Sequence, residues 1–135
     1  MRVIFLILIW FSSLSFAEFT TKNGVVRDST TKLEWQDDYS DNGGDIKSTT
    51  WQSALEYCEA SSLDGGEWRL PNIRELTSLV EVDDIEFISY KYWSSTTVAG
   101  TYRNNYAWVL SFFNNFVYNE SKNNDYYVRC VRAGE

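Results

Sequence analysis

Apolar and polar positions alternate along this chain in patterns that predict most of its elements. Val25–Arg27 and Lys32–Gln36 are short strand-like runs around the polar cluster Asp28-Ser29-Thr30-Thr31, which predicts a hairpin. Residues 37–47 are polar, contain Gly43-Gly44 and read as a loop. Trp51, Ala54, Leu55 and Cys58 then recur at i, i+3, i+4 and i+7, the apolar stripe of a helix that Thr50 caps and that ends near Ser61. Asn72 with Glu75 three residues on is a reciprocal capping pattern; it starts a second helix that buries Leu76, Leu79 and Val80. Residues 82–91 read as an irregular connector. Strands follow at Tyr92–Thr96, Tyr106–Phe113 and Phe116–Tyr118, with Asn114-Asn115 as the turn between the last two. Tyr126–Arg132 is the final strand. It carries Tyr126, Val128, Cys130 and Arg132 on one face and Tyr127, Arg129 and Val131 on the other, with Arg132 reaching solvent.

Two helices bracketed by strands imply an α+β fold with an antiparallel sheet. The chain start predicts export. Met1-Arg2 is followed by an unbroken apolar run, Val3–Phe11, and by small residues at Ser15 and Ala17. That order is a secretory leader with cleavage after residue 17. The run is about half the ~20 residues a membrane-spanning helix needs, so no anchor is expected. Residues 18–135 then form one domain, periplasmic, secreted or on the cell surface.

Export changes the meaning of the cysteines. Cys58 and Cys130 are the only two, and in an oxidising compartment an isolated pair forms a disulfide. Closing such a loop is worth about 4 kcal/mol in the chain-entropy picture. The bond leaves no thiolate nucleophile. The chain also has no His, which removes Ser-His-Asp and Cys-His catalysis. Loss of residues 1–17 takes away one Arg and leaves 11 basic against 19 acidic residues, a net charge of −8. Such a surface repels phosphate backbones, so nucleic acid is not an expected partner.

Val26-x-Asp28 with Leu33-Glu34-Trp35-Gln36, Thr50-Trp51-Gln52-x-Ala54-Leu55-x-Tyr57-Cys58, Trp68-Arg69-Leu70-Pro71-Asn72-x-x-Glu75-Leu76, Tyr92-Trp93-Ser94-Ser95-Thr96 and Tyr127-Val128-Arg129-Cys130-Val131-Arg132 occur in that order. Together they resemble the Lcl C-terminal domain family, a domain of unknown function in secreted bacterial proteins. The resemblance covers nearly all of residues 24–132. It implies a C-type-lectin-like fold, in which a helix and the last strand share a disulfide. It implies adhesion or ligand binding more loosely, since one fold hosts many functions. The Glu-Pro-Asn and Gln-Pro-Asp tripeptides of calcium-dependent sugar-binding lectins are absent; the single Pro is Pro71.

Three constellations carry candidate chemistry. Asp37, Asp38, Asp41 and Asp45 lie on one loop and are the candidate ligands for Ca²⁺, which takes about six to eight oxygens; a solvated acidic loop is the competing reading, and no cofactor is otherwise expected. Arg69, Asn72, Glu75, Trp93 and Ser94 read as a buried polar network that fixes the second helix. Tyr102, Arg103, Asn104, Asn105, Asn115, Tyr118, Asn123, Asn124 and Asp125 combine aromatic and adaptable polar groups, the chemistry of recognition loops, against the alternative of ordinary solvent loops. The expected function is non-catalytic binding of a protein or glycan through these loops. An envelope assembly subunit is the second reading. A third is a hydrolase using a carboxylate pair drawn from Asp37, Asp38, Glu75 and Asp125.

Overall fold

The computed structural model describes residues 18–80, 82, 85, 87–100 and 103–134. The expected leader, residues 1–17, lies outside them, as does Tyr102. The chain forms strands β1 (Phe19–Lys22), β2 (Val25–Asp28), β3 (Leu33–Gln36) and β4 (Ser48–Thr49), helix α1 (Trp51–Ala60), helix α2 (Ile73–Thr77), then β5 (Lys91–Thr97), β6 (Tyr106–Ser111), β7 (Val117–Ser121), β8 (Tyr126–Tyr127) and β9 (Val131–Ala133). Short 3₁₀ turns lie at Ser40–Asn42 and Leu63–Gly65. The α+β reading holds. One sheet has the order β1-β2-β3-β9 and the other β4-β8-β5-β6-β7. All the pairings are antiparallel except one: Tyr92 on β5 meets Tyr127 on β8 in parallel.

The β2–β3 hairpin forms as the pattern predicts, but it has a third member. Asn23 and Gly24 have φ of 54° and 75°, so β1 folds onto β2 through a two-residue turn with both central residues left-handed. A Cβ at Gly24 would stand 2.5 Å from the Asp38 Cβ, so no larger residue fits there.

Helix α1 buries Ala54 and Cys58 completely and leans Trp51 and Leu55 on the core. Thr50 occupies its N-cap position, but its side chain makes no capping bond, contrary to expectation. The amide of Trp51 instead reaches the Lys122 carbonyl at 3.1 Å. Helix α2 is short, and its capping box is complete: Asn72 Oδ1 accepts the Glu75 amide at 2.8 Å, and Glu75 Oε1 accepts the Asn72 amide at 3.0 Å. Leu76 is in the helix, while Leu79 is buried just beyond it.

The final strand departs from expectation. It pairs in one sheet at Tyr126–Tyr127 and in the other at Val131–Ala133. Residues 128–130 cross between the sheets, and Val128, Arg129 and Cys130 are all fully buried. Alternation assumes one wet face, and a segment enclosed on every side has none. The Cys58–Cys130 disulfide closes here, with Cα atoms 5.5 Å apart. It joins α1 to the crossing segment amid Trp68, Trp93, Val109 and Val128. A second apolar cluster holds Val26, Trp35, Leu76, Tyr92, Leu110 and Val131. Tyr92 and Trp93, adjacent on β5, are both fully buried because apolar clusters cover both faces of the sheet there.

Candidate binding surface

Of the predicted recognition residues, Asn115 and Tyr118 lie within the β6–β7 hairpin, while Arg103, Asn104, Asn105, Asn123, Asn124 and Asp125 flank it. Its register pairs Tyr106 with Ser121 at one end and Leu110 with Val117 at the other. At about 3.4 Å per residue, those ends stand roughly 14 Å apart. The predicted residues divide between the ends and do not form one cluster.

At the first end, polar groups satisfy one another. Lys122 Nζ donates to the Asn104 carbonyl at 2.9 Å and to Thr97 Oγ1 at 3.3 Å, and it lies 3.9 Å from the Trp51 ring centroid. The Lys122 amide donates to the Asn105 carbonyl at 2.8 Å. Arg103 Nη1 reaches Asn119 Oδ1 at 3.4 Å. Asn124 Nδ2 reaches the Tyr126 hydroxyl at 3.4 Å. Asn123, Asn124 and Asp125 are exposed.

At the second end, the turn after β6 projects aromatic rings. Asn114 Oδ1 accepts the Phe116 amide at 3.1 Å, and Asn114 Nδ2 donates to the Tyr118 hydroxyl at 2.6 Å. Asn115 takes the left-handed position, φ 62°, and its amide donates to the Ser111 carbonyl at 2.7 Å. Phe112 turns inward and stacks on Phe87 with centroids 4.0 Å apart. Its neighbour Phe113 points out and is 77% exposed, and Phe116 is 63% exposed. Ile88, Tyr90 and Val117 are exposed as well, and the Phe112 amide donates to the Tyr90 carbonyl.

A cleft of about 430 Å³ opens among Tyr90, Lys91, Phe113, Asn114 and Tyr118, with Ser89 and Ser111 completing the wall. The Lys91 ammonium sits 2.7 Å from Glu120 Oε1 and 4.8, 5.7 and 6.0 Å from the rings of Tyr118, Tyr126 and Tyr90. The hydrogen bond to Glu120 holds the Lys91 pKa above its ordinary value.

The acidic loop does not gather its carboxylates. Asp38 accepts the Ser40 hydroxyl at 2.6 Å and its amide at 2.9 Å, which lowers its pKa. Asp41 Oδ1 accepts the Tyr57 hydroxyl at 2.9 Å, while burial pushes that phenol up to about 12. Asp37 lies 3.6 Å from Arg129, and the Asp45 carbonyl accepts Asn42 Nδ2. Among the described residues no group of three or more His, Cys, Asp or Glu is placed to hold a metal.

Of the residues expected to form a buried network, Arg69, Asn72 and Glu75 bond to one another. Arg69 meets Glu75 through two bonds of 2.6 and 2.7 Å, yet its side chain is 46% exposed. Burial alone would raise the Glu75 carboxyl; the Arg69 guanidinium and the Asn72 amide outweigh it and hold the carboxyl below the usual range. Trp93 and Ser94 are fully buried and serve other partners, with Trp93 Nε1 on the Thr49 carbonyl and Ser94 Oγ on the Trp108 carbonyl. Thr96 Oγ1 instead supports the helix by accepting the Ile73 amide at 3.0 Å.

Two arginines matter in ways the alternation pattern does not reveal. Arg129 is fully buried, with Asp37 beside it and the rings of Phe87 and Tyr39 at 4.6 and 5.5 Å. Arg132, expected in solvent, is mostly covered: it pairs with Glu34 at 2.9 Å and Asp64 at 2.7 Å, donates to the Asp64 and Gly66 carbonyls, and lies over Trp68. It staples β9 to the left-handed Asp64, φ 42°. A polar cavity of about 520 Å³ beside it is lined by Arg27, Glu34, Asp64, Glu67 and Arg132.

With this geometry in place, the comparison with known domains is decisive at the level of family. Residues 24–132 match the Lcl C-terminal domain. The chain belongs to that family. No curated protein compared with it gives a match. The matched span runs from the Gly24 turn to Arg132 and so includes strands β2 to β8, most of β9, both helices and the disulfide of this Lcl C-terminal domain, with β1 lying before it. No helix among the described residues is long and apolar enough to cross a membrane.

Proposed function

We propose that this Lcl C-terminal domain is an exported, non-catalytic binding module of adhesion type, whose ligand is a protein or glycan. The observation that carries the proposal is the outward-facing aromatic group at the β6–β7 turn. Phe113 and Phe116 stand out from a turn that the Asn114 side chain braces, beside a cleft of the size that takes a ligand group. Rings this exposed release free energy when a partner covers them. The disulfide fits an oxidising address outside the cytoplasm. The link from an early helix to the segment that leads into the last strand supports a C-type-lectin-like scaffold. A non-catalytic role accords with the absence of His and with carboxylates already engaged: Glu75 by Arg69, Asp38 by Ser40 and Asp41 by Tyr57.

The test is capture. The purified chain is presented to surface proteins and to a glycan array, next to a Phe113→Ala, Tyr118→Ala variant. Retention that the variant loses, with its circular dichroism unchanged, supports the cleft. Equal retention by both proteins removes it.

A further inference from the structure

Strand β7 is the edge of its sheet: the order is β4-β8-β5-β6-β7, and no described strand lies on its outer side. The direction of its main-chain groups follows from two bonds. The Ser111 amide donates to the Phe116 carbonyl, and the Lys122 amide donates to the Asn105 carbonyl. Hydrogen-bonded pairs alternate along an antiparallel ladder. Tyr118 and Glu120 therefore bond inward to β6, as do the Phe116 carbonyl to Ser111 and the Lys122 amide to Asn105 just before β6. Val117, Asn119 and Ser121 aim their amides outward, and so do the carbonyls of Val117 and Asn119. The Ser121 carbonyl already accepts the Asn124 amide at 3.0 Å.

Natural sheet edges are blunted by proline, bulges or outward charge. Strand β7 has no proline, and its register against β6 is regular over five consecutive pairs. Its single charged residue, Glu120, is held by Lys91. We infer that the β7 edge takes up an extended polypeptide segment as a further strand of the sheet, with an apolar side chain in the Phe113–Tyr118 cleft and a carboxylate on Arg103.

The side-chain pattern of the guest follows from the same alternation. Tyr118 lies on the face that carries the cleft, while Asn119 lies on the opposite face with Arg103 3.4 Å away. Arg103 is exposed and, among the described residues, belongs to no ion pair. One carboxylate on the guest complements that charge. Because neighbouring residues of a strand face opposite ways, the apolar and acidic residues of the guest are separated by an odd offset, adjacent in the simplest case. Main-chain bonds supply affinity in this mode and the cleft supplies selectivity. The inference rests on the proposed binding role and names its ligand as an unfolded or strand-forming peptide.

The probe is a blocked, threonine-rich peptide of about eight residues with adjacent Phe and Glu at its centre, titrated into the purified chain and followed by amide resonances. The amides of Val117, Asn119 and Ser121 shift together. Asn119→Pro deletes one outward donor at a position where an edge strand tolerates proline, so it weakens the peptide by roughly tenfold while leaving the melting temperature in place. Arg103→Glu weakens the Glu peptide and favours one carrying Lys instead. The inference is overturned if the β7 amides stay still at millimolar peptide, or if Asn119→Pro binds as tightly as the parent chain. It is also overturned if sedimentation shows a dimer that Asn119→Pro dissolves, for then a second copy fills the edge. A saccharide retained through Phe113 with no response at β7 removes the peptide and leaves the binding role intact.

Discussion

The two ends of the β6–β7 hairpin use similar residues to opposite ends. At the Lys122 end, amides and carbonyls close on one another, and the Lys122 ammonium is pinned on Trp51. At the Phe113 end, Asn114 spends both halves of its amide inside the turn, and the result is that two phenylalanines face water. Asparagine-rich loops are thus scaffolding at both ends. Only one end offers surface whose covering releases free energy, about 25 cal/mol for each Å² of apolar area removed from water.

That contrast can be broken in graded steps. Replacing both cysteines by serine costs the most, about 4 kcal/mol of unfolding free energy, and both ends fail together because the disulfide anchors the core beneath them. Chemical denaturation of the double variant measures it. Lys122→Ala strikes only the polar end. It removes a cation–π contact and two hydrogen bonds, for a loss of about 1–2 kcal/mol with ligand capture unchanged. Asn114→Ala strikes only the aromatic end. It costs about 1 kcal/mol, yet it reduces capture, because Phe113 and Tyr118 lose their fixed relation. If the lysine variant loses capture and the asparagine variant keeps it, the assignment of roles is reversed.

The smallest effect is a control that touches neither end. The Glu75 carboxyl is depressed in the folded state, so its contribution is present above pH about 4.5, the unfolded value, and is lost as pH falls through the lower folded value. Glu75→Gln flattens that acid limb in thermal melts from pH 7 to pH 3 and leaves the hairpin as it was.

Much of this was legible in the residues. The α1 stripe, the Asn72–Glu75 box and the paired cysteines are local or binary signals, and each appears where its pattern puts it. Strand β1 was also announced by Asn23-Gly24, a strong hairpin dipeptide, though its flanking Thr20, Thr21 and Lys22 lack the apolar alternation that marks a strand. The crossing segment was not legible. A fully buried Arg129 looks like the wet face of a strand until its neighbours are known, and those neighbours come from residues 37, 39 and 87. The site was half legible. Tyr and Asn content marked the loops, but Phe112-Phe113 is one apolar pair in sequence and two opposite destinations in space, a split decided by the turn alone.

The placement of β8 bears on the order in which the chain can fold. Residues 126–127 fill the gap between β4 and β5, so a sheet begun near residue 48 lacks a middle plank until a segment nearly eighty residues later arrives. A chain that emerges from its N-terminus therefore cannot complete this sheet or join its two thiols until residues 126–130 are available, so the early strands wait on the late ones.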